Sequence, residues 1–298
     1  MPKKLYIRRL RDRLNVSWMI IVLAIVLFLP LLLGIGLYVQ SSLLLKEQSI
    51  WKILFTSQWM PMSEEFGLLG FILSSLMVTV LSLLIACFVC LLTAIHLTQY
   101  AKRYVLNIMH PVIDILAGIP SVIYGVWGIL VVVPIISKYV APFFGIQTSG
   151  YTLLAGAIVL AIMIIPFILN ILIEVFRSIP TELTEASLAL GATRWQTIKF
   201  VILRKGFPGI ISALGLGVSR AFGETIAVLM VIGNVAKIPT GVFQPAYPLP
   251  ALIANNYGEM MSIPMYQSAL MFSALVLFVI VMLFNLASRI AIAKFETK

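Results

Sequence analysis

The sequence predicts an all-α integral membrane protein with six transmembrane helices. Of its 298 residues, 61% are hydrophobic and only 11% are charged, whereas a soluble domain carries roughly 25% charged residues. Long charge-free stretches separate short basic segments. This composition excludes a soluble enzyme and a disordered chain, and two cysteines exclude a disulfide scaffold.

Charge-free stretches locate the membrane spans. A helix needs about 20 apolar residues to cross the hydrocarbon core. Five stretches are long enough, and they run over Leu14–Leu45, Phe66–Ala101, Ile115–Ser137, Tyr139–Ile173 and Met260–Ser288. A sixth, Gly206–Val235, is interrupted by two charges. A β-barrel would show alternating segments of about ten residues instead. We therefore predict helices over residues 18–39, 68–97, 112–136, 151–174, 207–235 and 267–291.

Basic residues predict the orientation. With the amino terminus inside, sixteen lysines and arginines lie in inside segments and four in outside segments, a strong positive-inside bias. Both termini are therefore predicted to be cytoplasmic, and the long first apolar stretch favours an uncleaved helix over a signal peptide. The predicted parts are a basic terminus (1–17), a first helix with an outer loop (18–66), a five-helix core (67–291) and a cytoplasmic tail (292–298).

The longest inside segment, residues 177–205, carries its own folding signals. Pro180 suits a helix start, and Gly191 suits a left-handed helix end. Thr193 and Gln196 form a T-x-x-Q capping box for a second helix. These signals predict helix, glycine turn, helix. A projection that holds a partner and an ordinary surface hairpin both fit this prediction.

Two opposite charges lie near the centre of the fifth apolar segment. Arg220 and Glu224 are four residues apart, so a continuous helix would place them on one face, with Ala213 and Gly217 extending it. Intramembrane charges are costly and commonly mark a transport path. One interpretation is an ion pair that fixes helix packing. The other is that Arg220 meets an anion in an aqueous path, with Glu224 holding or gating it, because guanidinium donors suit an oxyanion.

Other polar residues suggest packing roles. Asp114 is expected near the amino end of the third helix, favouring its dipole, with a pathway role as the alternative. Pro120 is expected to kink that helix. Cys87 and Cys90 form C-x-x-C inside an apolar span, and His96 and His110 are scattered, so no metal and no cofactor is predicted. A P-loop motif is absent from the sequence, so this chain is not expected to hydrolyse ATP.

The inside segment resembles a known motif. Glu185, Ala186 and Ser187, followed by Gly191, resemble the EAA loop of ABC importer permeases. The resemblance implies the type I importer permease architecture and a loop that docks into the ATP-binding subunit, with Glu185, Ala186 and Gly191 as the coupling residues. Ser187 departs from the motif, which has a second alanine there.

Three further segments resemble phosphate ABC transporter permeases of the PstC type. Residues 219–230 resemble their R-A-x-G-E-T-x-A-V segment, residues 116–125 their third-helix segment, and Gly233-Asn234 with Ile238–Thr240 their outer loop. The resemblance covers roughly residues 60–290. It implies a non-catalytic subunit, phosphate as substrate, and a pathway that includes Arg220 and Glu224.

The implied partners are a second permease of the PstA type, a PstB-type ATPase dimer and a PstS-type external phosphate-binding protein, in an inner membrane. A permease for another oxyanion, molybdate or sulfate, is the alternative. A secondary transporter and a membrane scaffold are the remaining classes.

Overall fold

The computed structural model describes residues 3–258 and 262–296, and this part of the chain is almost entirely helical. Residues 1 and 2 of the predicted basic terminus, Met260 at the start of the last charge-free stretch, and Lys298 of the predicted tail lie outside the described residues. The elements are α1 (Lys3–Gln40), α2 (Ser42–Glu47), α3 (Ile50–Phe55), β1 (Trp59–Met60), β2 (Glu65–Phe66), α4 (Leu69–Tyr100), α5 (Arg103–Gly118), α6 (Ser121–Phe143), α7 (Leu153–Arg177), α8 (Thr181–Ala189), α9 (Arg194–Gly223), α10 (Ile226–Leu229), α11 (Leu249–Asn256) and α12 (Pro264–Glu296).

Within residues 3–258 and 262–296, six helices are long and apolar enough to span a membrane, which confirms the predicted number. They are Arg11–Gln40, Leu69–Tyr100, Ser121–Phe143, Leu153–Arg177, Arg194–Gly223 and Pro264–Ala291. The first, second, fourth and sixth predicted spans lie close to these bounds. The third and fifth predicted spans have wrong boundaries, for reasons that lie in the backbone. The orientation of the termini stays a prediction.

Helix α7 is the centre of the core. Two thirds of its most apolar window is buried, more than in any other span of the described chain. It packs along α4 and is crossed by α9. The buried side chains between them are mainly Ala, Val, Leu and Ile, which allow the helices to approach closely.

Helix α1 lies at the periphery. None of its most apolar window is buried, and it contacts the rest of the chain mainly through α12, where Gly34 approaches the ring of Phe278. The helix is continuous across the predicted boundary at residues 17 and 18. Helix α12 likewise continues to Glu296, beyond the predicted start of a tail at residue 292. The boundaries at residues 17/18 and 291/292 therefore remain predictions of where the membrane begins, because neither helix is interrupted at these positions.

The predicted span over residues 112–136 is wrong, because two helices meet within it. Ile119, which precedes Pro120, is extended at ψ 128°, as expected for a residue before proline. The hydroxyl of Tyr124 donates to the carbonyl oxygen of Leu116 at 2.8 Å. That carbonyl, in the last turn of α5, also accepts from the amide of Ile119. Pro120 therefore forms a corner between α5 and α6 and does not kink a single helix.

The predicted span over residues 207–235 is also wrong at both ends. Helix α9 begins at Arg194 and ends at Gly223, and Glu224 is extended at ψ 125°. The chain then forms the single turn α10 and leaves by two left-handed residues, Gly233 at φ +96° and Asn234 at φ +52°. A Cβ at Gly233 would lie 2.9 Å from the carbonyl oxygen of Tyr151, so glycine permits this close approach.

The outer loop predicted within residues 18–66 is a folded layer, and it contains the β-hairpin that an all-α prediction omits. Strands β1 and β2 pair antiparallel. Trp59 places its ring 5.4 Å from Phe66, 5.1 Å from Phe71 and 5.8 Å from Tyr266, measured between ring centroids. The hydroxyl of Ser268 ties this layer to α12, since it accepts from the Leu44 amide and donates to a carbonyl at the end of α1. The aromatic cluster thereby closes one end of the helical core.

Candidate functional site

Arg220 is exposed on the surface of the isolated chain, although it belongs to a membrane span. Its guanidinium carbon lies 5.8 Å from the centroid of the Phe167 ring, which is near the middle of α7. At a rise of 1.5 Å per residue, Arg220 lies about 22 Å beyond Lys205 along α9. Although Arg220 lies in the last turn of α9, its guanidinium is level with the middle of α7 rather than with either end of that span. Because a charge facing hydrocarbon is costly, this face requires water or another protein against it.

A second polar pair lies on the same face. Asn170 is one helical turn from Phe167 on α7, and its amide nitrogen donates to Oδ1 of Asp114 at 3.4 Å. The Asp114 side chain is exposed. The surface to which α5, α7 and α9 contribute therefore presents a cation, an aromatic ring, an amide and a carboxylate in succession. We name these four residues, Arg220, Phe167, Asn170 and Asp114, the polar groove.

Asp114 does not occupy the position expected from the sequence. It lies in the last turns of α5, far from the amino end of that helix. The expected interaction with a helix amino-terminal dipole is therefore wrong, because the third apolar stretch is split at Pro120. The carboxylate instead interacts with the amide of Asn170.

Glu224 lies beyond the end of α9, so the expected shared helix face with Arg220 is wrong. Its Oε1 accepts from the amide of Ala227 at 3.1 Å, which caps the first turn of α10. Within the described residues Arg220 makes no ion pair with a carboxylate, and its guanidinium lies over the ring of Phe167. The extended backbone at Glu224 ends the helix, so a spacing of four residues no longer places this side chain on the helix surface that Arg220 occupies.

Behind Glu224 lies a small cavity of about 10 Å³, bordered by the hydroxyl-bearing Ser75 and Thr79 of α4 and by Val228. This is about the volume that one water molecule requires. Ser75 also accepts from the amide of Leu249 at 2.8 Å, which anchors α11 against α4. The end of α9, the cap at Glu224 and the returning segment before α11 therefore form one packed unit.

The small residues of α9 serve close packing rather than a passage. Ala213 and Gly217 are buried, and a Cβ at Gly217 would lie 2.6 Å from Cδ1 of Ile168. Gly125 plays a similar part in α6, where a Cβ would lie 2.5 Å from Sδ of Met230. These glycines let neighbouring segments pack directly against the helix backbone. Gly217 does so between α9 and α7, and Gly125 between α6 and the segment of α10 and Met230.

The segment 177–205 has the predicted helix–turn–helix geometry. Helix α8 ends before Gly191, which is left-handed at φ +84°, and the capping box at Thr193 and Gln196 is formed in both directions. The hydroxyls of Ser187 and Thr197 lie 2.9 Å apart. That hydrogen bond accounts for the departure from the EAA motif at Ser187, because an alanine could not tie α8 to the first turn of α9.

Helix α8 buries none of its residues, and the loop exposes apolar side chains. Glu185, Ala186 and Gly191 are all exposed. Leu190 is 89% exposed and Trp195 is 54% exposed. Apolar side chains exposed in this way at the tip of a hairpin typically mark a surface that another protein covers.

The remaining residues considered in the sequence take up packing positions. Cys90 is buried, and its thiol donates to the carbonyl oxygen of Ile165 at 3.5 Å. His96 stacks on Tyr100 at the carboxyl end of α4. No group of three metal-ligating side chains occurs among the described residues.

Sequence reasoning missed Phe167, Asn170 and the hydrogen bond between Ser187 and Thr197. Asn170 was detectable, because an amide within an apolar span is costly and tends to be functional. Phe167 carries no such signal, because a phenylalanine is an ordinary residue in a membrane helix. Its role depends on where α9 places Arg220.

Comparison with known proteins identifies the family. Residues 90–297 match the family model described as binding-protein-dependent transport system inner membrane component. This chain belongs to that family. The fold, the exposed loop 177–205 and the charge within a span are consistent with this membership, and the prediction of a multi-pass protein of the bacterial inner membrane is confirmed.

Named relatives are similar over most of the chain. The probable ABC transporter permease protein YqgH of Bacillus subtilis is 39% identical over 86% of this chain and 82% of its own length. The phosphate transport system permease protein PstC of Xylella fastidiosa is 34% identical over 82% of this chain and 79% of its own. The probable phosphate transport system permease protein PstC of Methanocaldococcus jannaschii is 34% identical, covering 88% and 87%.

Solved structures show the same fold. A bacterial ABC transporter involved in the import of the polysaccharide alginate superposes with a TM-score of 0.60 at 19% identity, covering 96% of this chain and 99% of that chain. An inward-facing MetNI methionine ABC transporter gives a TM-score of 0.58 at 21% identity, covering 80% and 99%. The predicted type I importer architecture and the predicted permease subunit of an ABC importer are both confirmed.

Proposed function

We propose that this permease imports phosphate as the PstC-type subunit of an ATP-driven transporter. Relatives that are named PstC and match most of the chain support phosphate over molybdate or sulfate. The structural observation that supports an anion path is the guanidinium of Arg220, which is level with the middle of α7. This side chain is exposed, and it makes no ion pair within the described residues. Such a group offers several donors to an oxyanion.

In this proposal the polar groove faces a second permease of the PstA type, and the two chains enclose the path. A charged groove that is exposed in one chain then lies between protein surfaces instead of lipid. Arg220 lowers the barrier for the anion at mid-path, where binding must be weak enough for release. Glu224 orders the end of α9 and the turn after it, so that movement of this unit can gate the path.

Energy comes from outside the chain. Moving a dianion against a membrane potential of 100 mV costs about 4.6 kcal/mol, so an external source is required. We assign ATP hydrolysis to a PstB-type dimer that docks on the loop through Glu185, Ala186 and Gly191, beside the exposed Leu190. A PstS-type binding protein delivers phosphate to the outer face. This chain itself is non-catalytic.

The test is uptake of labelled phosphate by proteoliposomes that contain all four kinds of subunit. Arg220→Ala is expected to reduce the initial rate to background, whereas Arg289→Ala is the matched control at an exposed arginine near the end of α12 and is expected to transport normally. Co-purification of the ATPase with each variant checks that the complex assembles. Normal uptake by assembled Arg220→Ala would refute the path, and labelled sulfate or molybdate uptake without phosphate uptake would refute the substrate.

A further inference from the structure

The carboxylate of Asp114 lies on the face that the proposed path follows. Asn170 holds it from α7, one turn from Phe167, and Phe167 lies under the guanidinium of Arg220. Asp114 is exposed, and within the described residues its carboxylate accepts a hydrogen bond from the side-chain amide of Asn170. A carboxylate therefore lies along the same proposed route for anions as the cation, connected to it through Asn170 and Phe167, and its place there requires a physical reason.

The chemistry of a carboxylate limits what can pass close to it. An ionised carboxylate only accepts hydrogen bonds, and it repels any anion that has no proton to donate. Because Asn170 occupies one oxygen, the other oxygen remains able to accept from a passing ligand. Inorganic phosphate keeps at least one proton at neutral pH, as does arsenate, whereas sulfate and molybdate keep none. A carboxylate at this position therefore distinguishes the two classes of oxyanion.

Resting on the proposed function, we infer that Asp114, held by Asn170, is a specificity-determining residue of the path. It accepts a hydrogen bond from the protonated oxygen of hydrogen phosphate as the anion moves between Asp114 and Arg220, which attracts the bare oxygens. A fully deprotonated tetrahedral anion meets the same cation but is repelled by the carboxylate. The ligand class of the polar groove is therefore a tetrahedral oxyanion that carries at least one proton.

The experiment measures anion binding without the external binding protein, whose own preference would mask that of the membrane chains. The complex of both permeases and the ATPase is held in lipid nanodiscs, and binding of labelled phosphate is followed by equilibrium dialysis. Unlabelled arsenate and sulfate compete separately. For the wild-type complex we expect displacement by arsenate and resistance to excess sulfate.

Two variants carry the comparison. Asp114→Asn keeps the shape of the side chain and removes its negative charge. We expect sulfate to compete with labelled phosphate about tenfold better in this variant, because one hydrogen bond to a charged group changes binding by about this factor. The exchange Asp114→Asn with Asn170→Asp restores a carboxylate–amide pair in reverse order, and we expect it to exclude sulfate again. Glu174→Gln is the matched control, an exposed carboxylate one turn beyond Asn170, and it should behave as wild type.

The outcomes separate the two proposals. If Asp114→Asn excludes sulfate as well as the wild type does, the role of Asp114 is overturned and the path is left intact. Equal competition by sulfate and arsenate in the wild type would have the same consequence. If Asp114→Asn does not assemble, the exchange variant tests the inference instead. An exchange variant that assembles but does not exclude sulfate would overturn it. Full phosphate binding by Arg220→Ala would instead refute the path, and a wild-type complex that binds no phosphate at millimolar concentration would refute both.

Discussion

The guanidinium of Arg220 lies 5.8 Å from the centre of the Phe167 ring, so an aromatic face holds the cation in place without neutralising it. A carboxylate in that position would occupy the guanidinium donors and cancel the charge. The ring attracts the cation through its quadrupole and leaves the N–H groups at the guanidinium edge free. This arrangement suits a group that must attract an anion and then release it.

Replacing Phe167 with leucine should therefore weaken transport without abolishing it. A cation–π contact at an accessible site is worth about 0.5–1 kcal/mol, so we expect roughly a threefold rise in the phosphate concentration for half-maximal uptake. Phe167→Tyr keeps the ring and should transport as wild type. Uptake kinetics in proteoliposomes measure both, and equal behaviour of the leucine and tyrosine variants would contradict a role for the ring.

Glu224 should stabilise α10 through its oxygen rather than through its charge. Glu224→Gln keeps an acceptor for the Ala227 amide, whereas Glu224→Ala removes it and should cost about 1 kcal/mol. Hydrogen exchange of the amides at residues 226–229 is expected to accelerate severalfold in the alanine variant only. Equal acceleration in both variants would show that the charge, not the cap, holds this turn.

Gly191 should control attachment of the ATPase through backbone conformation. At φ +84° a residue with a Cβ is strained by about 1–2 kcal/mol, yet no atom lies within 4 Å of a Cβ placed there. We expect Gly191→Ala to reduce co-purification of the ATPase about tenfold. Gly191→Asn is the control, because asparagine tolerates the left-handed region and should retain most of the attachment. If alanine binds as well as asparagine, the turn does not determine docking.

The orientation predicted from lysine and arginine can be tested by cysteine labelling. Lys46 and Lys199 are both exposed, on α2 and at the start of α9. In a background where Cys87 and Cys90 are alanine, Lys46→Cys should react with an impermeant maleimide in intact cells. Lys199→Cys should react only after the membrane is permeabilised. The opposite pattern would invert the topology and place α8 outside, where no ATPase could reach it.

The sequence alone determined the number of spans and the form of the loop 177–205. Both depend on interactions between near neighbours: apolar runs exceed the membrane thickness, and capping and left-handed turns are specified within a few residues. The same local rules could have predicted the corner at Pro120, because the residue before a proline avoids the helical region. An unbroken apolar run over residues 115–137 nevertheless favoured one helix.

Only the tertiary structure decided how the polar groove is composed. Asp114 and Asn170 are separated by 56 residues, and Phe167 meets Arg220 from a different helix. The break after Gly223 likewise depends on Glu224 capping the next turn, α10, and on α6 packing against that turn through Gly125. Hydropathy indicates which segments enter the membrane. Which neighbours a side chain meets there depends on how the helices pack, and packing brings together residues that are distant in sequence.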